Sequence, residues 1–362
     1  MLKTRTVFVV GAGASVDFGF PLGGKLKESI ATLTNIELEW GNATRGDQVI
    51  ADAMRIHANN TESVLQRLLS AGNQIVRAMP GAVSIDNFLH SREGNADINL
   101  IGKLGIARAI LKSERESPLY VQSQRELNRS KANPYYFNLD DSPQFVSQPD
   151  SWLGKFAPLL CQGFHANQLD DLFENVSFII FNYDRCVEHY LWHHLQQYFG
   201  IDEADASALL AKAHFHHPYG SVGALPWQSG TGFTARFGLD PSPADLLEVA
   251  AGIKTFTESV HNEVRDNLAD DLFKSNRVMF LGFGFIEQNM QLLALQTEGS
   301  IKNVYATALF MSDDSCAAIE DAVHDAFCLP RIVSIHTPKL VSVHANLTAA
   351  DIFNHYSLRL GR

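Results

Sequence analysis

Thr6-Val7-Phe8-Val9-Val10-Gly11-Ala12-Gly13-Ala14-Ser15 is the stretch from which the rest of the chain is read. Its first five residues are β-branched or aromatic, the pattern of a strand buried on both faces in a parallel sheet. The run stops in Gly-Ala-Gly, where the missing Cβ atoms permit a tight turn and a close approach of backbone N–H groups to a phosphate. It begins like a dinucleotide fingerprint, but Val16 stands where the third glycine belongs, and a plain tight turn is the alternative. In a dehydrogenase the helix starts directly after these glycines. Here Gly19 and Pro21 oppose it, so a loop of about eight residues precedes a helix expected from Gly23, with Leu26, Ile30 and Leu33 on one face. A flexible flap over a bound nucleotide would sit in that loop. Glu37 and Glu39, near the spacing at which a dehydrogenase holds a ribose, keep that reading open.

Outward from the turn, strand and helix spacings alternate. Val176–Phe181, Ala213–His217, Val278–Phe283, Val304–Met311 and Ile332–Ile335 read as strands. Helices are expected at Val187–Tyr198, Pro243–Phe273, Met290–Leu295 and Ser315–Phe327. Such alternation implies an α/β fold, a parallel sheet covered on both faces. Residues 35–155 break the rhythm. Val49, Ala53 and Ile56, then Val64, Leu65, Leu68 and Leu69, then Leu100 through Leu111 recur at helical spacing, and Ser84 looks like a helix cap. Ser117–Ser151 reads as a long polar loop. The expected organisation is a Rossmann-type core over 1–34, a mainly helical insertion over 35–155 and the core again over 156–362.

A net charge of -11, from 29 basic and 40 acidic residues, argues against a nucleic-acid partner, which would need clustered cations. One small anionic ligand held by backbone N–H groups is still compatible. Cys161, Cys186, Cys316 and Cys328 form no CxxC pair and no framework spacing, so free thiols, a cytoplasmic location and no metal are expected. The apolar run after Lys3 and Arg5 is too short for a signal peptide, and no stretch is long enough to span a membrane.

Two further strand ends carry unusual chemistry. Phe181-Asn182-Tyr183-Asp184 lies at the carboxyl edge of the sheet, where ligands of open α/β sheets bind, although Asp184 as a helix cap and Asn182 as a turn residue explain it equally. In His214-Phe215-His216-His217-Pro218-Tyr219-Gly220-Ser221, alternation puts His214 and His216 on one face and His217 on the other. A metal would need further ligands, and a general base is the better functional reading. Phe280-Leu281-Gly282-Phe283-Gly284-Phe285 ends another strand in GxG, which serves either close approach to a ligand or strand–helix packing.

As a set these pieces resemble the sirtuin family. Gly11-Ala12-Gly13-Ala14-Ser15 with Gly19-Phe20-Pro21 is similar to its GAGxS…GxP loop over NAD, and Asn182-Tyr183-Asp184 to its Asn-x-Asp. Tyr219-Gly220-Ser221 sits where the family carries His-Gly, and Gly282 with Gly284 and Phe285 fits its later Gly-x-Ser strand end. No cysteine quartet exists for a zinc ribbon, which makes the chain resemble the sirtuin-like NAD hydrolases of bacterial anti-phage defence more than the deacetylases. The resemblance implies NAD as substrate, cleaved to nicotinamide and ADP-ribose. Gly11 to Ser15, Pro21, Gly220, Ser221, Gly282, Gly284 and Phe285 would then hold the nucleotide, and Asp184 the carboxamide. Asn182 would orient ribose and water, with His217 or Tyr219 taking the proton. It further implies a homo-oligomer and a separate sensor such as a HerA-type ATPase. A Rossmann dehydrogenase and an inactive nucleotide sensor are the alternatives.

Overall fold

A computed structural model of the chain describes residues 2–40, 42–122, 145–229, 232–260, 263–331 and 339–360. In it Thr6–Val10 is strand β1, buried over its whole length. A short antiparallel pair, β2 (Glu37–Glu39) and β3 (Asn42–Arg45), stands apart. The main sheet joins β1 to β4 (Val176–Ile180), β5 (His214–His216), β6 (Arg277–Leu281), β7 (Asn303–Thr307) and β8 (Val341–His344), all parallel, in the order β5-β4-β1-β6-β7-β8. Counted along the chain this is the doubly wound Rossmann order, with helical crossovers covering the sheet. Burial on both faces is why β1, β4 and β6 are mainly apolar rather than alternating, with only Thr6, Ser177 and Arg277 polar among their residues. On one face Phe8 stacks on Phe178 at 5.5 Å and meets Phe156 edge-on at 5.0 Å, with Phe353 and Trp152 completing the cluster. Phe156 and Trp152 come from helix Trp152–Cys161 and Phe353 from helix Ala349–Leu360.

After α1 (Gly23–Thr34) the chain leaves the core through the β2–β3 pair and four helices: α2 (Gln48–Ala58), α3 (Glu62–Ala78), α4 (Ile85–Ser91) and α5 (Ala96–Glu116). Asp47, Ser84 and Asn95 cap α2, α4 and α5 by accepting first-turn N–H groups. Arg185, at the start of helix Cys186–Phe199, reaches Glu114 of α5 through a two-pronged pair, Nε to Oε1 at 2.9 Å, with both side chains almost wholly buried.

Several expectations need correction. Helix Trp152–Cys161 straddles the boundary at 155, and its apolar face belongs to the core's aromatic cluster. The single helix over Pro243–Phe273 is three: Pro243–Ala251, Phe256–Val260 and Glu263–Lys274. The chain turns inward at Gly252 because Ile253 is buried and Lys254 N–H bonds Tyr219 O at 2.9 Å. The loop after β1 is not a loose flap but two tandem 3-10 turns, Ala12–Ala14 and Val16–Phe18. Buried Phe18 and Phe20 anchor it, and Asp17 accepts the Trp152 N–H at 3.0 Å. The expected strand Ile332–Ile335 lies outside the described residues, as do residues 123–144 of the expected long loop. The β2–β3 pair, β8 and helices Glu203–Leu210 and Ala349–Leu360 were not anticipated. No helix among the described residues is long and apolar enough to cross a membrane.

Candidate active site

In a doubly wound sheet a crevice opens where neighbouring strands connect to opposite sides, here between β1 and β6. The two glycine turns meet at this point. Gly11 N–H bonds Leu281 O and Gly13 N–H bonds Gly282 O, each at 2.9 Å. A Cβ on Gly11 would fall 2.6 Å from Gly282 O, and one on Gly282 (φ 56°) 2.2 Å from Ala14 N. The glycines are therefore required by turn-on-turn packing, whatever binds above them.

Above them lies a cavity of about 660 Å³, in the range of small-molecule sites. Its lining includes Gly11, Ala12, Gly13, Ser15, Pro21, Asn182, Asp184, Tyr219, Gly282 and Gly284 from four separate strand ends. A connected polar network forms part of that lining. Asn182 Nδ2 donates to Gly11 O at 3.1 Å and to Ser15 Oγ at 2.9 Å, and the Ser15 hydroxyl donates to Asp184 Oδ2 at 2.8 Å. Asp184 Oδ1 accepts the Cys186 N–H at 3.1 Å, the first N–H of the following helix, whose N-cap is Arg185. With both amide hydrogens of Asn182 engaged, its Oδ1 is the atom left for a ligand. Burial raises the Asp184 pKa above the usual carboxylate range, against the opposing bonds from Ser15 and Cys186.

The insertion supplies part of the same cavity. Val83, Ser84, Asp86 and Ile110 line it. Asp86, in the first turn of α4, accepts the phenolic hydrogen of Tyr183, and its burial raises its pKa. Asp17, Asp86 and Asp184 line the cavity, and among the described residues no Lys, Arg or His does. The wall is thus electronegative. Among the described residues the backbone N–H groups of Ala12, Val16 and Asp17, which line the glycine-turn end, have no acceptor within the chain.

Five expected site residues are not in the lining. Ala14 is fully buried and its carbonyl accepts Trp152 Nε1–H. Gly220 (φ 71°) packs on Gly252, where a Cβ would sit 2.0 Å from the carbonyl oxygen, and Ser221 Oγ turns to Gly223 O. Phe285 packs on Phe280 and Phe283. His217 faces away: its Nε2 lies 2.6 Å from Glu188 Oε1 and its Nδ1 3.4 Å from the Asn182 carbonyl. Burial disfavours the imidazolium, but the Glu188 carboxylate outweighs it and raises the His217 pKa. Both ring nitrogens are engaged, so His217 supports the Asn182 backbone instead of meeting a ligand. Tyr219 does line the cavity; its hydroxyl donates to Asn289 Oδ1 at 2.8 Å, and burial drives its pKa far up.

Sequence reasoning missed Asp86 and Asn289. Asp86 stood in a capped first turn, where an acidic residue has a sufficient local explanation in the helix dipole. No known family model matches the chain, and no curated protein matches it.

Proposed function

We propose that the protein is an NAD glycohydrolase that cleaves NAD to nicotinamide and ADP-ribose and depletes NAD in bacterial anti-phage defence. The observation that carries this reading is the Asn182–Ser15–Asp184 network lining a carboxylate-walled cavity at the switch point of the sheet. In the reaction the bond between the ribose anomeric carbon and the nicotinamide nitrogen breaks, and its electron pair leaves with neutral nicotinamide. Water adds to the same carbon and releases one proton. Positive charge grows on the ribose in between, and preorganised carboxylates with no competing cation favour that state.

In this scheme the free N–H groups of the glycine-turn end meet the pyrophosphate, Asn182 Oδ1 orients ribose and water, and Asp184 holds the carboxamide. Asp86 takes the proton, since burial moves its pKa toward the working range of a base. His217 is a positioning residue, and Tyr219 shapes the wall. Restraint through self-association or a separate sensor, such as a HerA-type ATPase, belongs to the same proposal. The dehydrogenase reading loses support because Glu37 and Glu39 sit on the β2–β3 pair, with Glu37 exposed and paired with Arg45, and neither lines the cavity.

The test is incubation of purified protein with NAD. Free nicotinamide, in step with ADP-ribose, supports the hydrolase. NAD that stays intact alone but is reduced when alcohol or hydroxy-acid hydride donors are added points to a dehydrogenase, and binding without turnover under either condition to a sensor.

A further inference from the structure

His214 and His216 share one face of the edge strand β5, and helix Glu263–Lys274 brings Asp271 to both of them. Asp271 Oδ2 lies 2.8 Å from His214 Nδ1 and 2.7 Å from His216 Nε2. The three candidate ligand atoms all fall within 4.8 Å of one another. The side chains of Asp271 and His216 are 11% and 12% exposed, whereas that of His214 is 60% exposed. A carboxylate thus faces two imidazoles, away from the cavity lining.

We propose that His214, His216 and Asp271 bind one divalent cation of the zinc class, with water in the remaining position. Two imidazoles and a carboxylate are a donor set for borderline divalent metals, and three protein ligands open to solvent on one side fit a tetrahedral site. Metal–ligand distances of about 2.0–2.2 Å require the three atoms to spread slightly, and the exposed His214 ring can supply that movement. The occupied site would brace the edge strand to its covering helix. The sequence alone offered only two of the ligands, and the expectation of no metal rested on the absence of any CxxC pair.

The test uses the full chain, stripped with a chelator, dialysed, and titrated with Zn²⁺ by calorimetry and with Co²⁺ by visible absorption. One equivalent with a tetrahedral Co²⁺ spectrum is expected, and affinity should fall at least tenfold in His214→Ala and in Asp271→Asn. His214→Ala alters an exposed position, so its folding, checked by circular dichroism, keeps the test decisive even where Asp271→Asn is unstable. Absence of saturable binding to the wild-type chain, unchanged affinity in His214→Ala, or a sulfur-to-cobalt charge-transfer band that assigns the metal to cysteines would each overturn the site.

Discussion

The core and the helical insertion both reach the cavity, but they are held there in different ways. On the core side Ser15, Asn182 and Asp184 lie at the ends of adjacent strands β1 and β4, whose register fixes their separation. Ladder hydrogen bonds and a continuous apolar core hold those strands. Asp86 stands on a short helix of the insertion, whose position depends on side-chain contacts to the core. The most deeply buried of these is ionic: Arg185 gives two bonds to Glu114 and others to the carbonyls of Gly223, Ala235 and Arg236. The half of the site built by the sheet is rigid by construction. The half built by the insertion depends on helix packing and on side-chain contacts, of which this ion pair is the most deeply buried.

The harshest way to break this comparison is to remove that ion pair. Arg185→Ala strands the Glu114 carboxylate in the core, and loss of one partner of a buried pair costs about 3–5 kcal/mol. Urea unfolding should read that loss, whereas Arg185→Met with Glu114→Met should recover much of it because no charge is left unpaired. A double variant no more stable than Arg185→Ala would show that the lost bonds to core carbonyls, not the stranded Glu114 charge, account for the destabilisation.

The next effect falls on the core half. Asn182→Ala should leave folding and NAD binding largely intact while nicotinamide release falls by about 10²–10³-fold, the usual consequence of removing one preorganised polar group. Unchanged turnover would move the site elsewhere and end the hydrolase reading. On the insertion half, Asp86→Asn keeps the shape and the Tyr183 contact but removes the proposed base, and turnover should drop by about 10²-fold. The same drop in nicotinamide affinity, with the rate unchanged, would make Asp86 a binding residue.

The smallest effect concerns His217 and is read as pH dependence. Its folded pKa lies above the ordinary value of about 6.5, because the opposition of burial is outweighed by Glu188. The unfolded chain therefore gives up this proton first, so the pair's contribution is complete below about pH 6.5 and lost as pH rises through the raised value. Stability should decline on that alkaline side by at most about 1.4 kcal/mol per pH unit, and His217→Gln should flatten the decline. A slope that survives in His217→Gln belongs to another group.

The cavity was half legible before the fold was known. Ser15, Asn182, Asp184, Gly11, Gly13 and Gly282 could be chosen because each lies in the turn that follows a buried strand, and strand ends in a parallel sheet converge on one edge. His217 was chosen on the same grounds and did not reach the cavity. Alternation had put it on the opposite face from His216, but alternation does not say that Glu188 waits there.

The amino-acid sequence by itself determined the fold class and most of the core strands: buried strands announce themselves in short, mainly apolar runs, and alternation with helices leaves a parallel sheet as the way to cover them. Only the tertiary structure decided that Asp86 faces the cavity, that Glu114 takes Arg185, and that Asp271 closes on His214 and His216. Those partners are separated by 55 to 97 residues, and at such distances no local propensity couples them. Their meeting depends on how whole helices pack, and packing is set by the summed burial of many side chains, not by the pattern around any one of them.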